Sequence, residues 1–334
     1  MVCLHHHCTR RVFVAGLVVN GISKTYGTKK VVDNISFKAE PGQILGILGP
    51  NGAGKTTAIR MIMGITAPDS GSISYSHDGR ELAGIPKSLV GYLPEERGLY
   101  KEARVIEILT FLAGLKNISK KIAREIGMTW LTKFDLQDYA KAKVEQLSKG
   151  MAQKVQFIAS VIHEPKFVVL DEPFSGLDPV SQEIFKTEIR ALADRGATVL
   201  LSSHQMNIVE ELCDKLFLIH KGKHVFYGTL PEIKELHGNY RVNILSDDDL
   251  TSLESLDYVE NVSKIGGLNW VLTLKDGTKA NEFLVNLPST ISVQELNISR
   301  LSLHEIFVKI AQGGLDDEGN LEDSYLGNNE KSTK

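Results

Sequence analysis

The stretch 44-ILGILGPNGAGKTTAIRMIMG-64 decides the fold. Its first five residues are apolar or glycine with no polar alternation, the pattern of a central strand covered on both faces of a parallel sheet. A glycine loop follows at once, and then a periodic run, "TTAIRMIMG", that predicts a helix closed by Gly64. Strand, glycine loop and helix in this order suit a loop wrapped around a chain of phosphates. Gly49, Gly52 and Gly54 let the backbone turn, and Asn51 lies among them, so that N–H groups face the anion. Lys55 is placed to reach the outer phosphate oxygens, Thr56 to offer its hydroxyl to Mg²⁺, and Thr57 to continue the helix start whose dipole favours negative charge.

Working outward, "FVVLDEP" at 167–173 is a second buried strand ending in acids, about 115 residues downstream of the glycine loop. Asp171 is placed to hold Mg²⁺ through water, and Glu172 to activate an attacking water as general base. An isolated strand ending in two acids would read as ordinary surface chemistry. Paired with the glycine loop it reads as a nucleotide-hydrolysis site.

The remaining pattern alternates strands and helices. Residues 17–48 are strand-rich, with Pro41-Gly42 as punctuation. From about Val105 to His163 the texture is helical, and "MAQKVQFIASVIHE" puts Val155, Ile158, Ala159 and Ile162 on one face. A further helix carries Ile184, Ile189, Leu192 and Ala193, "ATVLLSSH" is another strand, and "DKLFLIHKGKHVFYG" is a closing hairpin. This is a doubly wound α/β core. After about Leu230 short strands ("YRVNILS", "VENVSKIG", "LNWVLTLKDG", "SVQELNIS") surround a short helix. Ser302 and Glu305 then stand at capping-box spacing before a last helix. Residues 231–312 therefore form a small α+β unit with no catalytic constellation. The acidic segment 313–334 reads as a disordered tail.

Bulk properties bound the function. A net charge of −3 gives no ground for broad nucleic-acid binding. Three cysteines make no disulfide framework and favour a reducing compartment. No run reaches the roughly 20 apolar residues of a membrane span, so membrane work would need another chain. Residues 1–16 read as a disordered extension. "VFVAGLVV" after Arg10-Arg11 lacks a signal-cleavage pattern, and "CLHHHC" has no second ligand cluster for a metal.

One more segment, "LSKGMAQKVQ" at 147–156, settles the class of nucleotide machine. Locally, Ser148 and Gly150 only begin the amphipathic helix, where they could meet a phosphate or simply cap it. In order, however, come the phosphate loop, "LSKGM", "VVLDEP", "SGLDP" at 175–179 and "SSH" ending at His204. Over roughly residues 17–230 this resembles the ATP-binding cassette of ABC transporters. The resemblance implies a P-loop NTPase fold with antiparallel β and helical subdomains. It also implies two cassettes paired head to tail around ATP, with Ser148 and Gly150 facing the partner's nucleotide. Tyr26 matches the aromatic that stacks on adenine, Asp178 the loop joining the two sites, and His204 the histidine that contacts the γ-phosphate. Lys149 and Met151 depart from the commonest signature residues, and Glu95 in "GYLPEERGLY" stands where a glutamine usually senses Mg²⁺. With the C-terminal unit, these departures are similar to ATP-binding subunits of ABC-2-type exporters, sodium export among them. The implied protein is an ATPase on the cytoplasmic face of the membrane, using ATP and Mg²⁺ with a separate integral-membrane permease and a second cassette. The alternatives are a soluble cassette ATPase acting on ribosomes or DNA, or a nucleotide-sensing regulator; the first usually carries tandem cassettes or a long coiled coil.

Overall fold

A computed structural model describes residues 16–311 apart from 78, 79, 97, 238 and 276. Of the expected extension 1–16, residues 1–15 lie outside the described residues and Gly16 begins the first strand; the expected tail 313–334 also lies outside them. The chain divides into two units, between Tyr227 and Gly228.

The first unit is organised by a six-stranded sheet. Three strands, β1 (Gly16–Tyr26), β2 (Lys29–Ala39) and β3 (Ile44–Leu48), precede helix α1 (Lys55–Ile62). Then come β4 (Ser70–His77), β5 (Arg80–Ala83) and β6 (Val90–Leu93), and the helices α2 (Val105–Gly114), α3 (Lys120–Lys133) and α4 (Lys149–Val161). The unit ends with β7 (Phe167–Asp171), α5 (Pro179–Asp194), β8 (Thr198–Ser202), α6 (Met206–Leu212), β9 (Lys215–His220) and β10 (Lys223–Gly228), whose last residue falls beyond the unit boundary. The sheet order is β10-β9-β3-β8-β7-β6, with β9, β3, β8, β7 and β6 mutually parallel.

Every residue of β3, β7 and β8 is buried, which is why their sequences lack polar alternation. The period of two survives as a division between two cores. Ile44, Val168, Leu170, Val199 and Leu201 face one core with α2 to α5. Leu45, Ile47, Phe167, Val169 and Leu200 face the other, with α1 and the antiparallel sheet β2-β1-β4-β5. On the helical side Phe134, Phe157 and Phe185 pack ring on ring, their centroids 4.5 to 5.8 Å apart.

Two elements here carry little local signal. β4, "SGSISYSH", is rich in serine, and its strand form comes from pairing with β1. α6 is seven residues long, too short for a clear helical period. Helix α1 ends as the glycine suggests, with Gly64 N–H bonding the Met61 carbonyl at 3.0 Å and Ile65 N–H the Arg60 carbonyl at 2.9 Å.

The second unit begins with α7 (Leu230–His237). It continues with β11 (Tyr240–Leu245), β12 (Val259–Lys264), β13 (Asn269–Leu274), α8 (Ala280–Asn286), β14 (Glu295–Arg300) and α9 (Leu303–Ala311). Its antiparallel sheet has the order β12-β13-β11-β14, the split β-α-β plait, with a 3₁₀ segment at 251–255 where the first crossover helix would stand. The capping box at the start of α9 is formed. Glu305 N–H donates to Ser302 Oγ at 3.2 Å, and Ser302 N–H to Glu305 Oε2 at 2.8 Å. Among the described residues, no helix is long and apolar enough to cross a membrane.

Candidate nucleotide-binding site

The parallel strands end on one side of the sheet, and their outgoing loops line a crevice there, as open α/β sheets require. A cleft of about 340 Å³ is lined by Asn51, Gly52, Gly54, Lys55, Thr56 and Thr57 from the loop after β3 and the start of α1. Glu95 from the loop after β6 joins them, as do Asp171 and Glu172 at the end of β7, and Val31.

The loop's shape depends on its glycines at two points. Gly54, which caps α1, has φ 109°, and an added Cβ would stand 2.6 Å from the Val31 carbonyl oxygen. A Cβ on Gly49 would meet the Ile219 carbonyl oxygen at 2.3 Å, so the strand beside it leaves no room for a side chain. Lys55 Nζ donates to the Gly49 and Pro50 carbonyls at 2.7 and 3.2 Å, curling its ammonium back over the loop. Burial lowers the proton affinity of Lys55, while Glu172, Asp171 and Glu95 act in the opposite sense. An anionic ligand would relieve that desolvation.

Two acids finish β7. Asp171 is 2% exposed, its Oδ1 accepts from Ser202 Oγ, and its Oδ2 is buried with no hydrogen-bond partner among the described residues. Burial raises its proton affinity, opposed by the Ser202 bond. Glu172 has φ 51°, and its N–H donates to the Ser202 carbonyl at 3.1 Å, which holds the backbone there. That conformation is unusual for a non-glycine residue. Burial raises its proton affinity too, against the lowering effect of His204. His204 Nδ1 donates to Glu172 Oε2 at 2.7 Å, so the carboxylate orients a largely exposed imidazole.

The other expected residues lie elsewhere. Tyr26 ends β1, half-exposed, with Lys24 Nζ 5.8 Å from its ring centroid, and does not line the cleft. Ser148 caps α4, its Oγ accepting from Met151 N at 3.2 Å, so within this single chain the capping reading of that serine is realised. Gly150 packs near the Gly176 carbonyl, which an added Cβ would approach at 3.1 Å. Asp178 caps α5 through Ser181, its Oδ1 accepting from Ser181 N at 2.9 Å. The cleft also depends on residues that motif reading passes over. Ser202 ties Asp171 to the backbone of Glu172, and Gln153 Nε2 donates to the Pro173 carbonyl at 3.0 Å. The available signal for Gln153 was a polar residue on the buried face of α4.

The donor set fits a hard cation beside phosphates. Thr56, Glu95 and Asp171 bring oxygen groups to one cleft, and Asp171 Oδ2 is buried and unpaired among the described residues. No three His, Cys, Asp or Glu side chains converge among the described residues, but Mg²⁺ is ordinarily held by one or two carboxylates plus phosphate and water.

Comparison with known proteins gives the class. The "ABC transporter" family profile matches residues 32–175, and one described as "ATP-binding protein DrrA1-3-like, C-terminal domain" matches 228–311. The ABC transporter ATP-binding protein YhaQ of Bacillus subtilis is 42% identical over 302 residues, covering 88% of this chain and 97% of that one. The Nod factor export ATP-binding protein I of Rhizobium etli is 34% identical over 255 residues, 74% of this chain and 78% of its own. A solved structure titled as the ATP-binding subunit of an ABC transporter superposes with TM-score 0.61 at 32% identity, over 66% of this chain and 92% of that one. This chain belongs to the ATP-binding subunits of ABC transporters, and its activity is ATP hydrolysis.

Proposed function

We propose that this chain is the motor subunit of an exporter: two copies close on ATP and drive a separate integral-membrane permease from its cytoplasmic face. The observation that carries the reading is the single cleft joining the phosphate loop to Asp171, Glu172 and Glu95. Ser148, Gly150 and Asp178 do not line it, which is the arrangement expected if they complete the site of a second copy. Export is supported by the named activity of the Nod factor relative. The sodium-export group is a finer resemblance, resting on Glu95, Lys149, Met151 and the C-terminal unit; the permease would set the cargo. The unit after about residue 230 supports the dimer or regulates it rather than doing chemistry.

In this reading the glycine-loop N–H groups and Lys55 bind the phosphates, and Tyr26 stacks on the base. Thr56, Asp171 and Glu95 would hold Mg²⁺, which when bound neutralises phosphate charge. Glu172 accepts a proton from the attacking water at Oε2 or Oε1. His204, fixed by the 2.7 Å bond through Nδ1, keeps Nε2 free of that bond to contact the terminal phosphate. Burial of Asp171 and Glu172 limits competing water.

Co-purification of the chain with an integral-membrane permease from the same cell, followed by transport assays in vesicles, tests the proposal. ATP-dependent movement of a solute that stops with Glu172→Gln supports it. A chain that binds no permease and turns over ATP only as a monomer refutes it.

A further inference from the structure

Helix α4 buries two primary amides, Gln153 and Gln156, at 3% and 5% exposure. A core position that merely needed volume would be met by an apolar residue at no desolvation cost. Gln153 holds the backbone just past Glu172. Gln156 does something separate: its Nε2 donates to the Pro94 and Glu96 carbonyls, each at 3.3 Å. Those two carbonyls flank Glu95. Both contacts are acceptors, so the amide nitrogen must face the loop. Pro94 has no N–H of its own with which to pin this turn.

Among the described residues Gln156 Oε1 is buried without a hydrogen-bond partner, and Gln156 lines, with Pro94, Tyr92, Lys116 and His163, a second cleft of about 410 Å³. One side chain therefore reaches both the Glu95 turn and that second cleft.

We infer that Gln156 is the positioning residue for Glu95, holding the turn at 94–96 so that the carboxylate faces the phosphate cleft. The inference rests on the metal role proposed above for Glu95. It assigns that role's geometric control to a residue of α4, the helix that begins with "LSKGM". A shift of that helix would then be felt at Glu95 through one amide.

The test uses the full chain with Gln156→Met, which keeps length without a donor, and Gln156→Glu, which replaces donor with acceptor. Hydrogen–deuterium exchange of the Glu95 and Glu96 amides should accelerate about two- to fivefold in both variants, the low end of coupling between contacting residues. ATP affinity stays near wild type in both variants; Gln156→Met, which adds no buried charge, keeps a melting temperature near wild type, while Gln156→Glu lowers it because its carboxylate faces two carbonyl oxygens. The Mg²⁺ concentration for half-maximal hydrolysis should move by a similar factor in each variant, and not move when the same change is made on a Glu95→Gln background. Unchanged exchange in either folded variant, or an equal Mg²⁺ shift with and without the Glu95 carboxylate, overturns the assignment. If Glu95→Gln alone leaves the Mg²⁺ curve superimposable on wild type, the metal reading of Glu95 fails, and the exchange measurement still decides whether Gln156 holds the turn.

Discussion

Replacing Glu172 by glutamine removes one capacity and keeps nearly everything else. The side chain retains its volume, and an amide oxygen can still accept from His204 Nδ1 across the 2.7 Å bond. The backbone, held at φ 51° by the Ser202 carbonyl, has no reason to move. What goes is a carboxylate whose burial raises its proton affinity, making it a better base than an exposed glutamate. A positioned general base contributes about 10²–10⁴ in rate. That corresponds to about 2.7–5.4 kcal/mol at the transition state. Single-turnover hydrolysis should fall by that factor, while calorimetry shows ATP binding unchanged and the protein accumulates as an ATP-bound dimer. The pH dependence follows with its sign. Glu172 must be ionised to act, and its folded proton affinity is above the ordinary glutamate value, so the acid limb of kcat/KM lies above pH 4.5. The same raised value means the native state binds the extra proton, so this group's contribution to stability declines as pH rises through that window. Glu172→Gln removes the penalty, and its melting temperature at neutral pH should equal or exceed wild type. Hydrolysis within about threefold of wild type, with normal binding, would falsify the general-base assignment.

Three further outcomes are expected. Lys55→Ala removes the cation that curls over the glycine loop, and should weaken ATP binding as well as rate; unchanged affinity by calorimetry would show that phosphates bind elsewhere. Phe157→Ala opens a cavity against Phe134 and Phe185 and should cost about 3–5 kcal/mol in urea unfolding; a loss below about 1 kcal/mol would mean the aromatic cluster collapses to fill it. A chain ending at Tyr227 keeps every residue of the phosphate cleft and should still bind ATP, with altered dimer stability; a folded truncation that binds none would tie the second unit to the site.

Features set by neighbours along the chain were legible before any fold was seen. The covered strand at 44–48, the helix stop near Gly64 and the capping box of Ser302 and Glu305 arise from local sterics and short-range hydrogen bonds. Backbone chemistry also required glycine at 49 and 54, although only the structure shows which carbonyl each would strike. What tertiary structure decided is everything that depends on strand order. β8 lies between β3 and β7, so Ser202 comes to bind Asp171 and the Glu172 backbone, and His204 meets a carboxylate 32 residues away in sequence. Strand β4 takes its form from β1, and the turn carrying Glu95 takes its anchor from Gln156, 60 and 62 residues beyond its two carbonyls. Periodicity records which face of an element is buried. It carries no record of which buried polar group another element will supply, because that pairing exists only once the sheet has closed on its helices.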